Sequence, residues 1–409
     1  MTSPLTLAWP RPARRGGPIA AGLLAGLLAA LAVGCGVGTG GTGTFASGPI
    51  SGFGSVIVGG VAYDETTARI EDEDGQPRPR SELRLGMTVE IDGETPVTDG
   101  SGTRSATAAR VRVVSEVLGP VTLLDRAAGR LAVLGVPVRI APSTVFAADL
   151  TGGLAALAAG DVLEVFGYFD VAGDGLSGAV TATRIERRSG VPAAYRLRGV
   201  VRALDTAAGW LQVGPQVFVV TGAAAQPASL VVGQFVALQV STVPLPGPGP
   251  QRWRVEAFGP AERPVANVDA VQLEGLVDRL ASATQFSVDG VAVDAATATV
   301  TGDRSQLQPG ARVRIEGMAH GGRLVARTVE IRPDELVRAE GYELRGVIES
   351  VDRAAQSFQL RGLTVSFAEA PVFDQGSAAD LAAGRAVRVR ALLAPDRTRL
   401  VATRIEFPN

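Results

Sequence analysis

Leu83-Arg-Leu-Gly86-Met-Thr-Val89-Glu-Ile91 reads as a turn on Gly86 that leads into a strand with alternating apolar residues. The pattern Leu-x-x-Gly-x-x-aliphatic-x-aliphatic returns as Leu157/Gly160/Leu163/Val165, Leu230/Gly233/Val236/Leu238, Leu307/Gly310/Val313/Ile315 and Leu381/Gly384/Val387/Val389. Its Leu-to-Leu spacings are 74, 73, 77 and 74 residues. A fixed period in which apolar residues alternate describes a tandem array of small β units.

Further patterns repeat in phase with the first. Each unit opens with a Gly two residues before an aliphatic: Gly48/Ile50, Gly119/Val121, Gly199/Val201, Gly275/Val277 and Gly346/Ile348. A hairpin pattern follows at Val58/Gly60/Val61, Val133/Gly135/Val136, Val288/Gly290/Val291 and Leu360/Gly362/Leu363, where Gly59-Gly60 and Asp289-Gly290 suit a two-residue turn with positive φ. The third unit departs here, and its Val213-Gly-Pro-Gln-Val217 suggests a longer turn. Ala-x-x-aliphatic closes most units, at Ala108/Val111, Ala182/Ile185, Ala326/Val329 and Ala402/Ile405. Each unit is therefore expected to hold about five short strands. A sheet that small protects its edges by rolling up.

The expected fold is all-β: five tandem small antiparallel β-barrels, OB-like, of about 75 residues each, behind a lipoprotein signal peptide. The expected boundaries are 1–34 signal, 35–47 Gly-rich tether, then modules over 48–116, 117–188, 195–260, 272–333 and 342–407. Linkers are expected near 189–194, 260–271 and 334–341, and the Pro-rich residues 244–250 as a hairpin loop. The Ala-rich stretches at 154–159 and 378–383 suit a single helical turn each.

Composition removes several chemistries. All 39 basic residues are Arg, and the chain has one His (His320) and one Cys (Cys35). Lys Schiff bases, P-loop lysines, disulfide frameworks and Cys/His zinc clusters are excluded. Arg11, Arg14 and Arg15 precede a 15-residue apolar run at 19–33, short of the roughly 20 residues that span a bilayer. The run ends in Leu31-Ala-Val-Gly-Cys35, which resembles a bacterial lipobox and implies that Cys35 carries lipid. Residues 36–44 (GVGTGGTGT) form a flexible tether, and Gly36 rather than Asp after the Cys resembles a lipoprotein sent to the outer membrane. Beyond the signal, 36 Arg face 41 acids, the wrong sign for broad phosphate binding.

Residues 48–64 (GPISGFGSVIVGGVAYD), behind a Gly-rich tether on a lipobox Cys, resemble the first module of proteobacterial lipoproteins built from repeats of domain of unknown function 5666. The resemblance implies an exported, all-β, tandem-module protein. It implies no catalytic residues and no ligand.

Candidate chemistry is sparse. His320 falls in a Gly-rich hairpin, better suited to a solvated turn than to a catalytic dyad. Glu71-Asp-Glu-Asp-Gly75 lacks the later ligands of a calcium loop and reads as a solvated loop, as Asp170-Val-Ala-Gly-Asp174 reads as a hairpin turn. Tyr195-Arg-Leu-Arg198 and Tyr342-Glu-Leu-Arg345 recur at the openings of units three and five. Tyr195, Arg198, Tyr342 and Arg345 are candidate ligand contacts, against the plainer reading that each Tyr packs at a junction and each Arg pairs with an acid. No cofactor and no nucleic-acid partner is expected. The readings are a lipid-anchored, non-enzymatic envelope scaffold that contacts protein or glycan partners, a glycan- or small-ligand-binding lipoprotein, and, third, an envelope hydrolase.

Overall fold

The computed structural model describes residues 43–100, 102–170, 178–220, 230–259 and 267–408. The signal segment and Cys35 lie outside the described residues.

Residues 117–187 show how the pattern becomes a barrel. Strand Val117–Asp125 ends where the Asp125 carboxylate accepts from the Ala128 amide (2.9 Å), and the chain returns as Arg130–Val133. Leu134 and Gly135, with φ of 51° and 79°, make a two-residue turn into Val136–Phe146. Val162–Asp170 and Ala179–Arg187 form the remaining hairpin. The last strand runs parallel to the third, and the fourth runs antiparallel to the first. The ring therefore reads first, second, third, fifth, fourth, first. The same neighbours recur in 195–259 and 268–331. They recur again in 44–113 and 342–406, where the first and third strands are each broken in two.

The result is an almost entirely β chain of small barrel-like sheets, with corrections to the sequence reading. The barrels are not wholly antiparallel, because a closed ring with an odd number of strands cannot alternate direction throughout. The parallel pair, as in Val138↔Val180, absorbs the mismatch. The turn at Gly214-Pro215 is no longer than the others: Val213 pairs directly with Gln216, and Gly214 supplies the positive φ (56°). The tether expected over 35–47 gives way at Thr44 to strand Thr44–Pro49, whose Thr44, Phe45, Ala46 and Ser47 are buried. The linker expected at 260–271 gives way to the long strand Val268–Ser282. The linker expected at 334–341 is largely helix, Asp334–Glu340, which follows Pro333, carries Asp334 and Glu335 in its first turn and ends at Gly341. The Ala-rich stretches form single 3-10 turns, Gly153–Ala156 and Ala378–Asp380.

The barrels are not separate beads. One apolar core holds Ile50, Phe53 and Val58 together with Leu344, Phe358 and Phe407, so the first and last stretches share an interior. A second core runs from Val117 to Val255 across two consecutive stretches. A third belongs to 271–331 and takes in Phe45. Strands also pair between barrels: Thr44–Ser47 parallel to Ala270–Leu273, Gly52-Phe53 parallel to Glu343-Leu344, and Val117-Leu118 antiparallel to Arg196-Leu197.

Candidate functional site

Buried ions and cavities concentrate where barrels meet. Glu274, in strand Val268–Ser282, is 4% exposed and faces three guanidinium groups. Arg312 Nη2 and Arg314 Nη2 lie 2.7 and 3.1 Å from its two oxygens, and Arg332 Nε lies 3.8 Å away. Burial alone would raise the Glu274 carboxyl, but the surrounding Arg312, Arg314 and Arg332 override it and hold the group at about 2. Arg332, itself 1% exposed, spreads its other contacts over Glu330 and Glu340.

A second cluster joins 71–74 to the barrels at 117–187 and 195–259. Arg196 reaches Glu73 (3.1 Å), Asp74 (2.7 Å), Asp72 (3.6 Å) and Glu164 (3.7 Å). Gln239 donates to Asp74 (2.8 Å) and Ser115 to Glu73 (3.2 Å). Burial pushes the Glu73 carboxyl up to about 7, against the pull of Arg196. Glu71 is 4% exposed and paired with Arg69, Arg110 and Arg112. The acidic stretch is thus a docking loop and not a solvated one. Among the described residues, no group of three or more His, Cys, Asp or Glu could hold a metal ion.

Two cavities open at these junctions. One, of about 400 Å³, lies between strands carrying Arg110, Arg112, Glu90 and Asp92 and strands carrying Arg196, Arg198 and Gln239. The other, of about 730 Å³, lies between the barrel at 117–187 and residues 306–334. It exists because the third strand leaves the fifth: pairing jumps from Ile140↔Ala182 to Val145↔Arg184, so 141–144 bow outward opposite Thr183. Its walls carry Arg139, Tyr168, Asp170, Gln308, Arg312 and Asp334.

The residues singled out from sequence fall in different places. Tyr195 is buried in the core shared by 117–255, where burial raises its phenol. Arg198 lines the smaller cavity, with its guanidinium 5.4 Å above the Phe235 ring. Tyr342 donates to the Ser143 carbonyl (3.4 Å) and is pushed up to about 12 by burial. Arg345 pairs with Glu343 (2.8 Å) and covers Gly54, where a Cβ would lie 2.5 Å from its own. The two Tyr/Arg pairs do not build equivalent sites. His320 is exposed at the end of strand Arg312–His320. Asp170 is 3% exposed and lies 3.4 Å from Arg139, while Asp174 falls outside the described residues. Sequence reasoning missed Arg196, Glu274 and Arg332. The only available signal was that 274, directly before the opening Gly275, holds an acid where 198 and 345 hold Arg.

Comparison with known families places the repeat. The family model of a domain of unknown function (DUF5666) matches residues 119–186, 274–330 and 345–406. The chain carries repeats of this DUF5666 domain. Each match begins at or next to the opening Gly of a barrel (Gly119, Gly275, Gly346) and ends in its last strand. No curated protein matches the chain. Among solved structures, a multidomain protein with nucleic acid binding domains from Streptococcus pneumoniae TIGR4 aligns at 10% identity. The alignment covers 52% of this chain and 73% of that one with a TM-score of 0.13, a likeness too slight to bear on fold or function.

Proposed function

We propose that this DUF5666-repeat protein is a lipid-anchored cell-envelope protein, its residues after the tether forming five OB-like modules that act together as a non-enzymatic interaction platform. The observation that carries the platform reading is the shared interior of the first and last stretches, in which Phe53 and Leu344 pair on adjoining strands. Such a chain presents its loops in one fixed arrangement and does not act as an extended spacer. The first-second-third-fifth-fourth order with a parallel third–fifth contact supports the OB-like description. Anchoring rests on the apolar run at 19–33 and Cys35, and attachment to the outer membrane on Gly36. The excess of acids over Arg beyond the signal argues against a nucleic-acid partner.

Fractionation tests the anchor: the full chain is expected in the detergent phase of a Triton X-114 partition, and Cys35→Ala in the aqueous phase or retained as an uncleaved precursor. A Cys35→Ala protein that matures and partitions like the unaltered chain sinks the lipid anchor. Photo-crosslinking residues in the barrel loops test the platform, since amine cross-linkers find no Lys in this chain. Recurrent protein adducts support it, and adducts to polysaccharide alone move the assignment to the second reading, a glycan- or small-ligand-binding lipoprotein. The observation favouring that second reading is the cavity of about 730 Å³, within the range of small-molecule sites.

A further inference from the structure

The larger junction cavity has a chemistry that narrows its occupant. Its rim sets an acceptor beside a donor: Asp170 Oδ2 lies 3.4 Å from Arg139 Nη2. The Arg139 side chain is 44% exposed and the Asp170 side chain 3%, so the guanidinium fork faces solvent with its counter-charge behind it. Across the opening, Gln306 and Gln308 are exposed carboxamides, each able to donate and to accept. Deeper in, Arg312 is already neutralised by Glu274, and Arg332 by Glu330 and Glu340. The lining guanidinium groups of Arg139, Arg312 and Arg332 are thus each paired with an acid, and none of them is left over to hold an anion. A free carboxylate or phosphate meets Asp170, and an ammonium meets Arg139.

Behind the wall, three buried polar atoms lack a hydrogen bond. Tyr168 Oη, Arg332 Nε and Asp334 Oδ2 are buried and make no hydrogen bond within the protein. Tyr168 and Arg332 are 2% and 1% exposed. Buried polar atoms left unpaired are uncommon and call for a polar occupant or ordered water nearby. These atoms lie behind the cavity surface, so the groups an occupant meets are those of Arg139, Gln306 and Gln308.

We propose that this cavity, between the strands at 136–183 and residues 306–334, is a binding site for a neutral polyhydroxylated ligand, a short saccharide. A hydroxyl is the group that suits a solvent-facing guanidinium and carboxamides at the same time, accepting from the first and both accepting from and donating to the second. The site differs from the barrel faces and from the Tyr/Arg pairs at 195–198 and 342–345. It is built between two matched copies of the repeat, 119–186 and 274–330. The inference rests on the ligand-binding reading of the protein and gives that reading a location.

Saturation-transfer NMR on the full chain in detergent, with glucose, galactose, N-acetylglucosamine and their β1→4 disaccharides as probes, tests it. The expected result is transfer to at least one probe, with an affinity that falls about tenfold or more in Arg139→Ala and in Gln308→Ala. The Gln308 side chain is solvent-facing, so the melting of Gln308→Ala is expected to be unchanged, whereas Arg139→Ala strips buried Asp170 of its counter-ion and its binding is compared at a temperature well below its own melting point. Arg345→Ala, away from the cavity, is expected to bind as the unaltered protein does. No transfer to any probe at tens of millimolar overturns the proposal, as does binding that Arg139→Ala and Gln308→Ala leave intact. Citrate or inorganic phosphate outcompeting the sugars overturns the neutral-ligand chemistry. Saccharide binding lost in Arg345→Ala but kept in Arg139→Ala overturns this location while leaving the ligand-binding reading standing.

Discussion

Single buried ions decide how this chain responds to pH. Glu274 is held at about 2, below its ordinary 4.5, by three Arg. A carboxylate depressed by folding contributes stability that is present above pH 4.5 and is lost as pH falls towards 2. Replacing it removes the shared counter-ion of Arg312, Arg314 and Arg332. Glu274→Gln is expected to cost about 3–5 kcal/mol in urea unfolding at pH 7, the usual penalty for orphaning a buried charge. Its loss relative to the unaltered chain should shrink as pH approaches 3. Glu73 has the opposite sign. Its carboxyl is raised from 4.5 to about 7, so its contribution is present below pH 4.5 and disappears as pH rises through 7. Glu73→Gln is expected to gain stability relative to the unaltered chain between pH 5 and pH 8, measured as the shift in urea midpoint at each. A difference between the two proteins that does not change with pH would show that Glu73 does not titrate in this window.

At the scale of the element, the repeat supplies its own controls. The turn after the first strand ends in Gly129 (φ 65°) and Gly209 (φ 69°), but the matching position in the last barrel is Gln356, held at φ 46°. An L-residue in that region costs about 1–2 kcal/mol, and glycine escapes the cost. Gln356→Gly is therefore expected to stabilise by about 1 kcal/mol. Gly129→Ala, where a Cβ meets nothing within 4 Å, should destabilise by a similar amount for backbone reasons alone. Both are read as denaturant midpoints. The same glycine logic made much of the fold legible: alternation and x-Gly turns located the strands and hairpins to within a few residues. The parallel third–fifth pairing was not legible, because it joins segments that no tight turn connects. Gly93, Gly167 and Gly317 were also overlooked. Each sits at a bulge in the fourth strand, where a Cβ would lie 2.1 to 2.2 Å from a carbonyl oxygen of the fifth. Their signal was a Gly seven residues after the Gly of the Leu-x-x-Gly pattern, at 86/93, 160/167 and 310/317, broken in the two remaining copies by Val240 and Ala391. The ion networks could not have been read at all, since 39 Arg and 41 acids permit far too many pairings for spacing to choose Arg196 with Glu73.

For the whole molecule, the question is whether the barrels fold as neighbours or as one body. Spacing along the chain suggests independent units, since each stretch closes its own ring. The contacts between barrels argue the other way. Thr183 and Arg184 bond the carbonyls of Gly86 and Leu85 at 2.6 and 3.1 Å, and Arg104 pairs with Glu316. The first and last stretches share an interior. With cores merged across stretches, partial unfolding exposes apolar surface that an isolated barrel would keep buried. Calorimetry of the full chain is thus expected to show fewer transitions than barrels, with residues 44–113 and 342–406 melting together. The strap between those two stretches can be cut at a single atom. Gly52 lies so close to the opposing strand that a Cβ there would sit 2.3 Å from the Glu343 carbonyl oxygen. Gly52→Val is expected to break the Gly52–Phe53 pairing with Glu343–Leu344 and to separate a new low-temperature transition from the main one. Hydrogen exchange should show protection lost first in those two strands, while the amides of 130–146 stay protected. If Gly52→Val lowers the melting temperature without splitting the transition, the two stretches are coupled by their shared core and not by the strap. If the unaltered chain already melts in as many steps as it has barrels, the barrels are thermodynamically independent and the platform reading loses its physical basis.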